Sequence, residues 1–167
     1  DPVTEQIYHL LLSLNQQTVV GISGFTPVKG GIFVHDHYLV DDALRQARQI
    51  LDLRETPFLR GLQNRQNIAS AYAVCQHSGL LASEIIQGLK TFQGLSHRQE
   101  ITAVIDGIAY INDSKATNAA SVAYALSNYD NIFWILGGRP KSDGLTGLSP
   151  YYPKIKHAFV IGEALED

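Results

Sequence analysis

The sequence predicts an α/β protein in two parts, and three observations carry that reading. Residues 1–60 hold short β-type apolar runs, and residues 61–93 hold two helical patterns. Gly94-Leu95-Ser96-His97-Arg98 then interrupts the periodicity as a linker does. Beyond it strand and helix alternate, an order that favours a parallel sheet with helices on its faces.

The elements follow from local pattern. Residues 2–14 place Ile7, Leu10, Leu11 and Leu14 on one helical face. Residues 18–23 form a short apolar run ending at Gly24, as a buried strand would. Residues 31–34 and 38–40 flank His35-Asp36-His37 and predict a hairpin, with both histidines in or beside a solvated turn. Residues 41–53 read two ways. Their Ala, Leu, Arg and Gln content favours helix, while Ile50-Leu51-Asp52-Leu53 suits a strand. Asn64 is a plausible cap for a helix whose Ile68, Ala71, Tyr72 and Cys75 recur at helical spacing, and Gly79 fits its stop. Ser83 starts a second helix with Ile85, Ile86 and Leu89 on one face.

In the second part, residues 100–105 and 108–111 are strands around Asp106-Gly107, a strong hairpin signal. Residues 117–126 are an Ala-rich helix. Residues 132–136 are a continuous apolar strand running into Gly137-Gly138, and residues 158–162 are another.

Composition limits the function. The 167 residues are 45% hydrophobic and 17% charged with a net charge of -3, which fits one large or two small globular domains. No apolar run approaches the ~20 residues of a membrane helix, and no basic block suits nucleic acid. Cys75 is the sole cysteine, so an intrachain disulfide and a Cys-cluster zinc site are excluded and a reducing, cytoplasmic setting is expected. Asp1-Pro2-Val3-Thr4-Glu5 has no signal-peptide character, and the chain contains no Met, even at position 1. A methionine-free chain opening on Asp-Pro reads as an internal piece of a longer protein.

Three polar clusters fall where α/β sheets bind ligands, at strand ends, or at the linker. Asn112-Asp113-Ser114-Lys115-Ala116-Thr117-Asn118 lies between a strand and a helix. An Asp there can accept bonds from a ribose diol and a Lys can neutralise phosphate or carboxylate, although a helix cap at Asp113 or Ser114 explains the same polarity. Gly137-Gly138-Arg139-Pro140-Lys141-Ser142-Asp143-Gly144 is glycine-rich, but Pro140 breaks any Walker-type phosphate loop, and a surface loop is the plain alternative. Arg98 at the boundary can clamp a phosphate, or simply face solvent. His9, His77 and His157 read as surface residues, and Cys75 as core.

Together these clusters resemble the Mur ligases, ATP-dependent amide-bond enzymes of peptidoglycan synthesis. Gly94-Leu95-Ser96-His97-Arg98-Gln99-Glu100 is similar to their Gly-Leu-Pro-His-Arg-x-Glu linker. Residues 112–118 are identical to the Asn-Asp-Ser-Lys-Ala-Thr-Asn motif of the branch that adds D-glutamate to UDP-N-acetylmuramoyl-L-alanine. Gly137-Gly138 with Lys141 resembles a Gly-Gly-x-x-Lys loop. Gly61-Leu62-Gln63-Asn64-Arg65-Gln66-Asn67 resembles a Gly-x-His-Asn-x-x-Asn helix start, with Gln63 replacing the family His.

The resemblance implies the end of an ATPase-type central domain over 1–93, a linker over 94–99, and the first part of a Rossmann-like, mostly parallel C-terminal domain over 100–167. It implies ATP and Mg2+ as cofactors of the intact enzyme, with the Walker loop and the metal ligands upstream of this chain and no metal ligand within it. By motif position Asn64, Asn67, Arg98 and Asp113 would bind nucleotide. Lys115, Thr117 and Lys141 would bind D-glutamate, and Lys115 and Arg98 would act in catalysis. The expected partners are the small molecules ATP, D-glutamate and UDP-N-acetylmuramoyl-L-alanine, with no nucleic acid and no membrane insertion. The enzyme would be monomeric, and this chain alone inactive. Two alternatives stand beside this reading: a non-catalytic nucleotide-binding or interaction module, and a sibling such as a folylpolyglutamate synthetase, which residues 112–118 disfavour. A dehydrogenase domain would need a Gly-x-Gly-x-x-Gly after a strand, and there is none.

Overall fold

Two short apolar runs, residues 32–34 and 38–40, fold as a tight hairpin. In the computed structural model, which describes residues 2–59, 61–139 and 144–165, β2 (Ile32–His35) and β3 (Tyr38–Asp41) pair antiparallel with His35 opposite Tyr38. Asp36 and His37 make the turn, with Asp36 at φ +54. β1 (Ile22–Ser23) pairs parallel to β2 and β4 (Arg48–Asp52) antiparallel to β3, giving the order β1-β2-β3-β4. These strands belong to the first of two compact units, Asp1–Phe92 and Gln93–Asp167.

Two helices cover this sheet. α2 (Leu62–His77) sets Ile68, Ala69 and Tyr72 against Ile32, Val34, Leu39 and Leu51, and α3 (Ala82–Thr91) adds Ile85. Ile86, Leu89 and Cys75 pack around that core. Polar ties fix the helices. Asp41 accepts from Gln76 Nε2 at 2.8 Å and from the Tyr72 hydroxyl at 3.3 Å. Burial, then the Asp41 charge, pushes the Tyr72 phenol up to about 12. Lys90 of α3 reaches Glu55 at 2.6 Å.

Several sequence expectations change here. The helical reading of residues 41–53 gives way to β4, because pairing with β3 satisfies the backbone and buries Leu51, outweighing composition. Asn64 is not the cap of α2. Gly61, at φ +95, holds that position, and its carbonyl accepts the Asn64 N–H at 3.2 Å. Ala71 is exposed, and Ala69 takes the buried place beside Tyr72. The strand expected over 18–23 shrinks to Ile22–Ser23. α1 (Pro2–Leu14) forms, yet Ile7, Leu10 and Leu14 of its apolar face are exposed.

The second unit holds a hairpin and a parallel pair. β5 (Glu100–Ile105) and β6 (Ile108–Asn112) join through Asp106 at φ +50 and Gly107 at φ +78, as the Asp-Gly signal predicts. β7 (Ile132–Gly137) and β8 (Ile155–Ile161) pair parallel. Among the described residues the unit is therefore one antiparallel and one parallel pair, not a mostly parallel sheet. α4 (Ala119–Asn128) packs Ala119 and Leu126 on Leu148, Ile132, Trp134 and Ile155. The Lys154 ammonium caps the end of α4 by donating to the carbonyls of Ser127 and Tyr129 at 3.0 and 3.3 Å. β7 alternates instead of being buried on both faces: Phe133 and Ile135 stay 68% and 69% exposed. Among the described residues no helix is long and apolar enough to cross a membrane.

Leu39 sits wholly buried at the centre of the first core. Leu39→Ala should therefore lower unfolding stability by about 2–5 kcal/mol in urea titrations. A loss under about 1 kcal/mol would mean the hairpin is not the centre of that core.

Candidate functional site

The linker folds back onto the loop that follows β6, and main-chain groups make the junction. Leu95 to Arg98 form a turn, with the Arg98 N–H on the Leu95 carbonyl at 3.2 Å. His97 and Gln99 both take left-handed backbone, at φ +65 and +48. The His97 carbonyl accepts the Lys115 N–H at 3.1 Å, and the Gln99 N–H donates to Asp113 Oδ1 at 3.0 Å. Side chains extend the junction. Asn112 Nδ2 donates to His97 Nδ1 at 2.9 Å, which leaves the ring proton on Nε2 in the neutral form. Asn112 Oδ1 accepts the Ser114 N–H, Glu100 accepts the His97 N–H, and Asn128 Nδ2 donates to Gln99 Oε1.

The loop of residues 113–118 is thus an ordered platform and not a helix cap. Asn118 caps α4 by accepting the Ser121 N–H at 2.8 Å, so neither Asp113 nor Ser114 does. Ala116 N–H returns to the Asp113 carbonyl at 2.8 Å. Asp113 is half-buried. Burial raises its carboxyl above the ordinary range, against the pull of the Gln99 amide and the Arg98 charge. Its Oδ2 makes no hydrogen bond among the described residues. The side chains of Arg98, Lys115 and Thr117 are exposed, and neither cation has an ion-pair partner there. An open carboxylate oxygen near the Arg98 charge, with the exposed Lys115 two residues on in the same loop, suits a ligand that carries hydroxyls at one end and negative charge at the other.

The other sequence-derived residues lie elsewhere. Asn64 and Asn67 belong to the first unit, one turn apart on α2, with Asn67 Nδ2 3.5 Å from Asn64 Oδ1. Lys141, with Pro140, Ser142 and Asp143, lies outside the described residues. The glycines before it have a structural role. Gly137 runs against the end of β8, where any Cβ would strike the Ile161 carbonyl, and that carbonyl accepts the Gly138 N–H at 3.0 Å. Arg139 pairs with Glu163 at 3.2 Å.

Sequence reasoning missed Gln99 and Asn128. Gln99 acts on Asp113 through its main-chain N–H, which no residue type announces. Asn128 lies at the far end of α4, outside every motif. Among the described residues no group of three His, Cys, Asp or Glu side chains could hold a metal ion.

No protein-family model matches the chain. Curated relatives do. The chain is 41% identical over 158 residues to the UDP-N-acetylmuramoylalanine--D-glutamate ligase of Rhodospirillum rubrum, an alignment covering 95% of the chain and 33% of that protein. It is 38% identical to the protein of the same name in Phenylobacterium zucineum, covering 98% and 35%, and 35% identical to that of a Caulobacter strain, covering 100% and 36%. Over nearly its whole length the chain is related to these ligases, and it spans about a third of their length.

The raised Asp113 carboxyl has a measurable consequence. The folded chain keeps this proton over a pH range in which the unfolded chain has released it, so ionisation lowers stability as pH rises through that range. Asp113→Asn removes the ionisation and keeps an acceptor for the Gln99 N–H. Urea midpoints at about pH 4 and 7 should show the variant gaining on the wild type as pH rises. A wild type that gains instead would mean the carboxylate is held ionised and burial does not dominate.

Proposed function

We propose that this chain is part of a Mur ligase that joins D-glutamate to UDP-N-acetylmuramoyl-L-alanine with ATP. The identity with D-glutamate ligases over 95% of the chain carries the reading. The platform at residues 112–116 supports it. Its open Asp113 oxygen, with Arg98 and Lys115 beside it in sequence and loop, fits the ribose and phosphates of a nucleotide. ATP, when bound, supplies the phosphoryl group that activates the alanyl carboxylate toward the amine of D-glutamate.

The roles of this chain's residues are assigned by their positions in the motifs it shares with these ligases and by their charge. Asp113 orients the nucleotide by accepting ribose hydroxyls, its other oxygen being fixed by Gln99. Arg98 and Lys115 offset negative charge on the phosphates, where positioning and charge neutralisation do most of the work of phosphoryl transfer. Asn64 and Asn67 present amides to the nucleotide from the first unit. Thr117 and Lys141 hold the incoming amino acid, whose two carboxylates need cations in a site already rich in phosphate charge. Among the described residues no cluster of His, Cys, Asp or Glu side chains could hold magnesium. In this reading the first 93 residues close an ATPase-type central domain and residues 100–167 open a Rossmann-like one.

Kinetics of the intact ligase separate these roles. Asp113→Ala should raise the KM for ATP by about 10- to 100-fold, since a charge-assisted hydrogen bond contributes about 1.5–3 kcal/mol. The KM for D-glutamate should stay nearly constant. An unchanged KM for ATP would leave Asp113 a loop-forming residue only.

Lys141→Ala should do the reverse, raising the KM for D-glutamate by more than about tenfold while ATP affinity is kept. Lys141→Arg should rescue in part, because a planar fork does not replace a compact ammonium. Glutamate dependence equal to wild type in Lys141→Ala would remove this loop from the site.

A further inference from the structure

We propose that Asn128, the last residue of α4, is a positioning residue for the nucleotide: through the Gln99 side chain it holds the linker in the turn that fixes the Asp113 carboxylate. The nucleotide in this proposal rests on the ligase reading above. The linkage from Asn128 to Asp113 does not, because it is built within the second unit.

Gln99 is the joint. Its main-chain N–H donates to Asp113 Oδ1 at 3.0 Å, and its side-chain Oε1 accepts from Asn128 Nδ2 at 2.8 Å. One residue thus ties the start of the loop before α4 to the far end of that helix. Gln99, Asp113 and Asn128 are all half-buried, where a hydrogen bond counts for more than it does in open solvent. The joint is also under load. Gln99 stands at φ +48, in the left-handed region that side chains disfavour, and relaxing that angle would swing its N–H away from Asp113. The bonds from the Lys115 N–H and the Asn112 amide hold His97, two residues earlier. Among the described residues the one side-chain bond that restrains Gln99 itself comes from Asn128.

Asn128 is a firm anchor for this. The residues on either side of it, Ser127 and Tyr129, give their carbonyls to the Lys154 ammonium at 3.0 and 3.3 Å. Leu126, two residues before, is buried in the second core, and Asn118 caps the other end of the helix. An Asn that merely ended the helix would turn its amide to the last carbonyls of α4; here Lys154 serves those carbonyls and the Asn128 amide goes to the linker. The consequence reaches the carboxylate. Burial raises the Asp113 carboxyl and the Gln99 N–H opposes that rise, so a slack joint leaves Asp113 both less fixed and less readily ionised as an acceptor of ribose hydroxyls.

Kinetics of the intact ligase and a titration of this chain test the proposal together. Asn128→Ala should raise the KM for ATP by about three- to tenfold, less than loss of Asp113 itself, and leave the KM for D-glutamate nearly constant. Gln99→Ala should do the same, and the two substitutions together should cost no more than either alone, because both break one bond. In the chain, the Asp113 side-chain carboxyl carbon resonance should titrate at higher pH in Asn128→Ala than in wild type. A residue that only stabilised α4 would lower the urea midpoint and leave that titration in place. An unmoved Asp113 titration overturns the proposal whatever the kinetics show. Equal rises in both KM values, or effects of the two substitutions that add, overturn it as well. If the titration moves and Asp113→Ala still leaves the KM for ATP at its wild-type value, the linkage stands and the nucleotide role falls with the ligase reading.

Discussion

A single main-chain donor, the Gln99 N–H, fixes the Asp113 carboxylate, and the candidate site depends on it. The bond exists only because the linker doubles back with His97 and Gln99 in left-handed backbone, a conformation that disfavours side chains by roughly 1 kcal/mol or more each. What offsets this is local: the Lys115 N–H on the His97 carbonyl, the Asn112 amide on the His97 ring, and Asn128 on Gln99. Each bond pairs a linker group with a later residue of the same unit. Residues 94–99 are thus part of the platform as well as a connection.

The same junction leaves charge unbalanced. Asp113 is drawn half out of water with one oxygen satisfied, while the exposed Arg98 and Lys115 make no close ion pair among the described residues, although the Arg98 charge acts on Asp113. In a purely structural loop, pairing these groups with one another would be the more stable arrangement. Strain in the backbone, a raised carboxyl and unpaired cations within a few residues form a local conflict of the kind that binding sites retain. By contrast, Asp52 and Arg54 satisfy each other through four hydrogen bonds, one of them from the Arg54 main-chain N–H.

Much of the fold was legible because it rests on side-chain pattern. The Asp106-Gly107 turn, the hairpin around residues 36 and 37, and the two helices of residues 62–91 all follow from alternation, helical spacing and turn chemistry. Where reading failed, the deciding term was tertiary or lay in the main chain. Residues 48–52 are strand because β3 offers an edge, not because their propensities agree. Gly61 displaced Asn64 as helix cap through a backbone angle, and Ala69 displaced Ala71 through the direction from which the sheet approaches. His37 turned inward on contact with Leu53, sixteen residues away in sequence. In the site itself, Asp113, Lys115 and Arg98 stood out as charged residues at a strand end and a boundary. Gln99 did not, because a backbone amide has no residue-type signature.

The half-covered parallel pair has a consequence for handling the chain. β7 and β8 each present a strand edge with no neighbour among the described residues, and their uncovered face carries Phe133, Ile135, Phe159 and Ile161. An unpaired edge backed by such a surface is a template for recruiting further strands, and little charge opposes it: Lys156 lies on β8 and none on β7. Dilution, or a strand that completes the ribbon, keeps the chain dispersed; raising the ionic strength, which screens the remaining repulsion, drives it toward ordered aggregates.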